Sequence, residues 1–191
     1  PMPAMPEGSK EGILKGMYLY QKSVKPKAAL TANLLGSGTI LNETLKAADI
    51  LQDKYGVGVN VYSVTSYKEL QRDGLDVERY NLLHPELEKT PYVSTLIKND
   101  GVIVAASDYV KTLPDSISKW LPKRLYTLGT DGFGRSETRE KLRDFFEVDA
   151  KHIAFTTLYA LYKEGNYKLA DLKKAMDELG IDANKLNPMI S

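Results

Sequence analysis

The chain has 191 residues, 42% of them hydrophobic and 27% charged, which is typical of one globular domain with a packed core. A net charge of +1 argues against nucleic acid or an anionic membrane as a partner, and no apolar run approaches the roughly 18 residues that span a bilayer. The absence of cysteine excludes disulfides, thiolate catalysis and cysteine–zinc sites and fits a cytoplasmic location, and two histidines are too few for a histidine-rich metal site.

The amino-terminal segment PMPAMPEG contains three prolines, which predicts a stiff linker at residues 1–8 from a missing upstream domain. A single domain is then predicted over residues 9–191. It begins with a short helix up to about Gly16, followed by strands at Met17–Val24 and Ala28–Leu35. Only KSVKPK separates these strands, which is too short for a crossover, so they are predicted to be antiparallel neighbours.

The next part of the chain alternates helices and strands. Apolar residues recur on one face of a predicted helix over Ile40–Tyr55, and a strand follows at Val59–Val64. Ser66 has capping-box spacing to a glutamate three residues on, so a helix is expected to start there. It is expected to show an irregularity near Gly74 and to end at about Leu83, where a His-Pro dipeptide disfavours helical backbone.

Four short elements are predicted between Pro91 and Gly129. A helix is expected at Pro91–Ile97 and an apolar strand at Val102–Ala106. Pro114 and Pro122 bracket a further helix, which is predicted to pack Ile117, Trp120 and Leu121. The segment RLYTLG is the fifth predicted strand.

Three helices are predicted after the fifth strand. The first starts at Ser136, which would act as its cap, and ends at Phe146; the others cover Asp149–Lys163 and Lys168–Leu179. Strands separated by helix-length segments indicate parallel pairing through crossovers. The predicted fold is therefore a three-layer α/β/α domain whose five-stranded mixed sheet has four parallel strands and one antiparallel strand.

Two glycine loops follow strands at the expected carboxyl edge of the sheet, where open α/β sheets bind ligands. The first, LLGSGTI, lacks the third glycine of a dinucleotide fingerprint because Leu41 stands there, and the acidic residue expected about 20 residues on is missing. The favoured interpretation is a tight turn in which Ser37 or Thr39 caps the next helix. The alternative is a site for a small anion or nucleotide, formed by Gly36 to Thr39 with Gly38 among them.

The second glycine loop, TDGFGRS, fits no phosphate fingerprint. Backbone amides at the start of the following helix could hold an anion beside Gly132, Gly134 and Arg135, whereas Asp131 would repel one. A strand-to-helix turn is the favoured interpretation. The alternative function is a regulatory module that binds a small anion or a nucleotide with both glycine loops.

The helix after the third strand is rich in polar side chains that could form a domain or subunit interface. They are Arg72, Asp73, Asp76, Glu78, Arg79, Asn81 and His84. Two pairs, Glu69 with Arg72 and Asp76 with Arg79, have the i, i+3 spacing of ion pairs, so a solvated charged face is the simpler interpretation. No serine or carboxylate is placed beside the histidine by the sequence, so catalysis is not predicted there.

Several segments of the chain resemble one family of domains. They are SVTSYKELQRDGLDVERYNLLHP, AASDYV, LGTDGFGRSETREKLRDFFEVDA and LGIDANKLNP. Together they are similar to the C-terminal domain of the homodimeric, thiamine diphosphate-dependent pyruvate dehydrogenase decarboxylase component. RDGLDVERYNLLHP is the most specific segment, whereas GFGRS followed by a helix is shared more widely with transketolase-like C-terminal domains.

The resemblance implies a three-domain, homodimeric parent enzyme in the cytoplasm, pyruvate dehydrogenase (acetyl-transferring), which serves pyruvate metabolism after glycolysis. That parent decarboxylates pyruvate on thiamine diphosphate with Mg²⁺ and acetylates the lipoyl group of the acetyltransferase component in a multienzyme complex. In the family the catalytic and cofactor-binding residues lie in the first two domains, so no catalytic, cofactor-binding or metal-binding residue is carried over to this chain. The implied role is structural, namely packing against the upstream catalytic domains and the homodimer mate.

Overall fold

The computed structural model describes residues 5–190, which form a five-stranded sheet with the strand order β1-β3-β2-β4-β5. The strands are β1 Met17–Gln21, β2 Thr31–Ser37, β3 Gly58–Val64, β4 Val102–Ala106 and β5 Leu125–Leu128. Strand β1 runs antiparallel to β3 and the other pairs are parallel, which confirms the predicted mixed sheet. Half of the predicted linker, residues 1–4, lies outside the described residues.

Helices cover both faces of this sheet. They are α1 Lys10–Leu14, α2 Leu41–Tyr55, α3 Tyr67–Leu83, α4 Tyr92–Leu96, α5 Thr112–Asp115, α6 Arg139–Phe145, α7 Ala150–Lys163 and α8 Leu169–Glu178, with 3₁₀ turns at Gly38–Ile40 and Ser118–Trp120. Successive strand residues point to opposite faces, so Leu34 packs with α2, α7 and α8, and Leu35 packs with α3 and α4. Over residues 5–190, every helix is too short or too polar to cross a membrane.

Strand β1 pairs with β3 and not with β2, so the predicted antiparallel neighbours were wrong in position although right in direction. The connecting residues 22–30 pass the amino end of β3, where the Ser23 N–H donates to Asn60 Oδ1 at 3.0 Å and the Gly58 N–H donates to the Leu30 carbonyl at 2.8 Å. Strands are about 4.8 Å apart, so a segment of this length easily skips one of them. Strand β3, which comes later in the chain, fills the gap.

Two predicted helices start or continue differently. The segment between Pro114 and Pro122 is α5 followed by a 3₁₀ turn, although Ile117 and Trp120 are buried as predicted. Helix α6 begins three residues after Ser136, and its cap is Thr138, whose Oγ1 accepts from the Lys141 N–H at 3.4 Å. The Ser136 cap was therefore wrong, and an irregular, mostly exposed loop joins β5 to α6.

Helix α3 confirms its predicted cap but not its predicted irregularity. The Glu69 N–H donates to Ser66 Oγ at 3.2 Å, and the helix runs without a break through Gly74. A Cβ atom at Gly74 would lie 2.5 Å from the indole ring of Trp120. Glycine is needed there because the helix and the ring approach closely, and not because the backbone bends.

We expect Gly74→Ala to lower the free energy of unfolding by about 1–3 kcal/mol, because the added methyl overlaps a buried ring that cannot move away. Urea denaturation would measure the loss. Gly134→Ala is the matched control, since a Cβ there meets nothing within 4 Å and should change stability little. The cost of Gly74→Ala should shrink in a Trp120→Leu background; an undiminished cost would contradict the proposed overlap.

Candidate functional site

The two glycine loops meet at the carboxyl edge of the sheet, where successive connections run to opposite sides of the sheet. From β2 the chain goes to β3 on one side and later to β4 on the other, so a crevice lies between the carboxyl ends of β2 and β4. The two strand ends are joined there, because Ser37 Oγ donates to Ser107 Oγ at 2.8 Å and both serines are buried. We call the depression of about 400 Å³ above them the switch-point cleft.

The switch-point cleft includes some of the predicted anion-site residues and omits others. Thr39 from the first loop lines it. So do Gly132, Gly134 and Arg135 from the second loop. Gly36, Ser37 and Gly38 are not part of its lining.

The first loop is built differently from the predicted capped turn. Gly36 and Ser37 are still residues of β2, and Gly38 turns the chain with a φ of +52°. Neither predicted cap makes a capping hydrogen bond: Ser37 bonds Ser107, and Thr39 Oγ1 donates to Asp108 Oδ2 at 3.5 Å. The capping prediction was therefore wrong, since the hydroxyls link two strand ends.

Three arginines on one side of the cleft were only partly foreseen. Arg135, Arg139 and Arg143 recur every four residues, the helix period visible in RSETREKLR, and all three line the cleft. The predicted repulsion by Asp131 does not apply, because its carboxylate accepts from the Lys111 N–H at 3.0 Å and pairs with that lysine's Nζ. The carboxylate that does line the cleft is Asp108.

We call Arg135, Arg139 and Arg143 the arginine wall of the cleft, and Glu43 on α2 binds one of them, Arg143. Its buried carboxylate accepts from Arg143 Nη1 at 2.9 Å, from Lys46 Nζ at 3.0 Å and from the Ala150 N–H at 3.2 Å. These bonds join α2 to the last turn of α6 and the first turn of α7. Glu43 carries no local signal of this role in the sequence, because Arg143 and Ala150 lie about a hundred positions away along the chain.

Residues near the carboxyl end of the chain contact the end of α6 and the second glycine loop. Lys185 Nζ donates to the Phe145 carbonyl at 2.9 Å and also to that of Asp144. Gly132 has a φ of +96°, and a Cβ atom there would lie 2.8 Å from the Pro188 carbonyl oxygen. The loop therefore rests on the chain segment that contains Pro188 and Met189.

Most of the polar side chains on α3 that were predicted as a possible interface form hydrogen bonds within the domain. Asp73 Oδ2 accepts from the Tyr92 N–H at 2.6 Å. Glu78 accepts from Trp120 Nε1 at 2.9 Å and from Lys119 Nζ at 2.7 Å, and the hydrogen bond from that lysine lowers the pKa of the Glu78 carboxyl below its ordinary value. These side chains hold the helix to neighbouring segments.

The remaining polar residues of α3 give a mixed result. Asn81 exchanges two hydrogen bonds with the backbone of Lys89, at 2.9 and 2.8 Å. His84 Nδ1 lies 3.0 Å from the carbonyl oxygen of Tyr80, and its ring stacks on that tyrosine. The predicted pair of Glu69 and Arg72 is present. Within residues 5–190, no ion pair joins the other predicted partners, 76 and 79.

Four leucines on and after α3 are exposed and were not among the predicted interface residues. Leu75, Leu82, Leu83 and Leu87 are 48%, 80%, 54% and 58% exposed. Leu82 and Leu83 follow Leu75 by seven and eight positions along α3, which places the three on one helix face. This face is separate from the buried face that carries Leu70. We call these four residues the α3 leucine patch. The helical spacing of these leucines can be read from the sequence, but charged residues separate them and no continuous apolar stripe stands out.

One group of potential metal ligands has internal partners. Asp144, Asp149 and His152 place one ligand atom each within 4.8 Å of the others. However, Asp149 Oδ1 accepts from the His152 backbone N–H at 3.1 Å as the cap of α7, and it lies 2.6 Å from His152 Nδ1. Asp144 pairs with Lys151 at 2.6 Å, and this contact lowers the pKa of the Asp144 carboxyl. The group is thus a helix cap beside an ion pair.

A family model and curated relatives both match most of this chain. The model of the transketolase-like TK C-terminal domain family matches residues 16–149. The chain is 46% identical over 190 residues to the pyruvate dehydrogenase E1 component of Pseudomonas aeruginosa and 46% identical over 192 residues to that of Escherichia coli K12. These matches cover 98% and 100% of this chain, which spans about a fifth (21%) of the length of these curated relatives.

Solved structures support the fold at low sequence identity. A transketolase from Leishmania mexicana matches 80% of this chain and 19% of its own with a TM-score of 0.57 at 18% identity. A transketolase from Pichia stipitis matches 87% of this chain and 21% of its own with a TM-score of 0.58 at 15% identity. The three-layer arrangement around a mixed sheet is therefore shared with parts of these larger proteins.

We expect Glu43→Ala to lower the free energy of unfolding by about 3 kcal/mol, because it leaves Arg143 partly buried without its partner. Chemical denaturation would measure the loss. Lys46→Ala removes another cation from the same carboxylate, but that side chain is 64% exposed, so about 0.5 kcal/mol or less is expected. Equal losses in the two variants would contradict the role given to Glu43.

A second prediction concerns acid. The pKa of Glu78 is lowered in the folded chain, so its contribution to stability is complete above its ordinary value of 4.5 and is lost as the pH falls through the lowered pKa. The difference in unfolding free energy between the native chain and Glu78→Gln should therefore be constant above the ordinary value of 4.5 and shrink as the pH falls below it. A difference that does not change with pH, measured by urea titration, would rule out this contribution.

Proposed function

This chain belongs to the transketolase-like C-terminal domain family, and on that premise we propose that it serves as the non-catalytic C-terminal domain of a pyruvate dehydrogenase E1 component. One observation carries the proposal: relatives with that name match 98–100% of this chain but only 21% of their own length. The chain therefore corresponds to one part of a larger protein. Its role is to complete the assembly of that protein, and the chemistry belongs to the other parts.

The parent protein is proposed to decarboxylate pyruvate on thiamine diphosphate with Mg²⁺ and to pass the acetyl group to the lipoyl group of an acetyltransferase component. It is proposed to act as a cytoplasmic homodimer in a multienzyme complex. The partners of this domain are then the upstream catalytic domains of the same chain and the homodimer mate. The predicted linker at residues 1–8 is proposed to lead from those upstream domains.

The residues of this domain do not fit the proposed cofactor and its metal. Mg²⁺ prefers several oxygen ligands in octahedral geometry and binds through carboxylates and substrate phosphates. The switch-point cleft offers a single carboxylate, Asp108, opposite three arginines. In the group around His152, one carboxylate pairs with Lys151 and the other caps a helix. We therefore derive no step of the reaction through this domain.

The α3 leucine patch supports the assembly role. Leu82 and Leu83 present largely exposed side chains on a helix whose polar neighbours already bond within the domain. Burial of apolar side chains drives most association between protein surfaces, so this face is the one we propose to pack against the rest of the parent protein. Arg72, Asp76 and Arg79, which are exposed on the same helix, would form its polar rim.

We expect this chain alone to show neither decarboxylation of pyruvate nor saturable binding of thiamine diphosphate with Mg²⁺. Isothermal titration calorimetry with both ligands present would test this, with the full-length parent as the positive control. Binding with a dissociation constant in the micromolar range would contradict a purely structural role.

A substitution in the α3 leucine patch separates docking from folding. Leu82→Asp should leave the stability of this chain almost unchanged, because the side chain is 80% exposed. In the full-length parent the same change should speed hydrogen exchange on α3 and lower the melting temperature, because a charge would enter a packed surface. Leu169→Asp on α8, where the leucine is 49% exposed on the other face of the sheet, is the matched control. Equal effects of the two changes in the parent would contradict docking through α3.

A further inference from the structure

We propose that the switch-point cleft binds a nucleoside monophosphate, a function separate from the assembly role of the domain. The cleft lies between the carboxyl ends of β2 and β4, where the connection that leaves β2 runs to β3 on one side and the connection that leaves β4 runs to β5 on the other. In open α/β sheets this reversal point is the usual place for a ligand, because the loops there diverge and leave a crevice. Its volume of about 400 Å³ lies in the range of small-ligand sites and is more than an inorganic anion needs.

The charge of the cleft favours a phosphate. Arg135, Arg139 and Arg143 line it against one carboxylate, Asp108. Arg143 is held by Glu43, which keeps its guanidinium in place, whereas Arg139 has no hydrogen bond or ion pair within residues 5–190. An arginine guanidinium binds phosphate oxygens with paired hydrogen bonds, so a phosphate group would supply the partner that Arg139 lacks.

The rest of the cleft favours a flat apolar ring joined to a sugar that carries hydroxyl groups. Ile40, Phe146 and Val148 are at least 90% buried and form an apolar floor against which a flat ring can lie. Thr39 and Asp108 stand at the ends of the strands, and their oxygens can bond the hydroxyls of a sugar. A phosphate, a sugar and a flat ring together define a nucleoside monophosphate.

The test titrates this chain with adenosine 5′-monophosphate, adenosine and inorganic phosphate in separate calorimetric experiments. We expect the monophosphate to bind at least about tenfold more tightly than either fragment, since each good contact contributes about 1.4 kcal/mol or more. Amide NMR spectra recorded in the same titration should show shifts centred on Gly132 and Gly134. A dissociation constant above about 1 mM for the monophosphate would overturn the proposal. Equal affinity for inorganic phosphate would overturn it as well, because the site would then recognise only an anion.

Variants assign the binding to the cleft. Arg139→Gln should weaken binding of the monophosphate about tenfold or more, because it removes one charged contact. Asp108→Asn should weaken the monophosphate relative to inorganic phosphate, because it weakens an acceptor for the sugar hydroxyls and removes a negative charge that opposes a free anion. Arg124→Ala is the matched control, since this arginine lies next to the amino end of β5, at the opposite edge of the sheet. Wild-type affinity in Arg139→Gln, or an equal loss in Arg124→Ala, would overturn the proposal, and circular dichroism would verify that each variant is folded.

Discussion

Strand β2 is the constraint on which the rest of this domain depends. It pairs in parallel with β3 on one side and β4 on the other, and its residues 32–37 are all buried. Helices cover the two sides of the sheet, so side chains on both faces of this strand are buried; most are apolar, and the buried Asn33 amide donates to Asn99 Oδ1. The connection that leaves β2 runs to β3 on one side, whereas the connection that leaves β4 runs to β5 on the other. Core, helix layers and the switch-point cleft thus follow from one central pairing.

The two layers of helices are tied to the sheet in different ways. On one face, the buried Glu43 carboxylate links α2 to α6 and α7 through hydrogen bonds that have few substitutes if one partner is lost. On the other face, α3 packs closely on Trp120 at Gly74 and is also held by the hydrogen bonds that Asp73 and Glu78 accept from neighbouring segments. The first layer carries the wall of the cleft, and the second carries the α3 leucine patch. The proposed ligand site and the proposed assembly surface thus lie on opposite faces of one sheet.

Local signals in the sequence predicted local structure well. The strands, the Ser66 cap and the Asp149 boundary depend on residues at most a few positions apart, and the structure confirms them. Predictions that needed distant partners were wrong or absent. Strand β1 lies beside β3 because a later strand inserts between it and β2, and Ser37 bonds Ser107 instead of capping α2. The arginine wall of the cleft was foreseen only in Arg135, because its other members become neighbours of the loops only in the folded chain.

The support of the second glycine loop has a consequence for synthesis. Gly132 rests against Pro188 and Met189, and Lys185 holds the carbonyl groups at the end of α6. A ribosome makes the chain from its amino end, so the sheet and the α2 layer can form before these residues have emerged. The contacts of these residues with Gly132 and with the end of α6 can therefore form only after the sheet has been made, and a chain that stops before Lys185 would lack them.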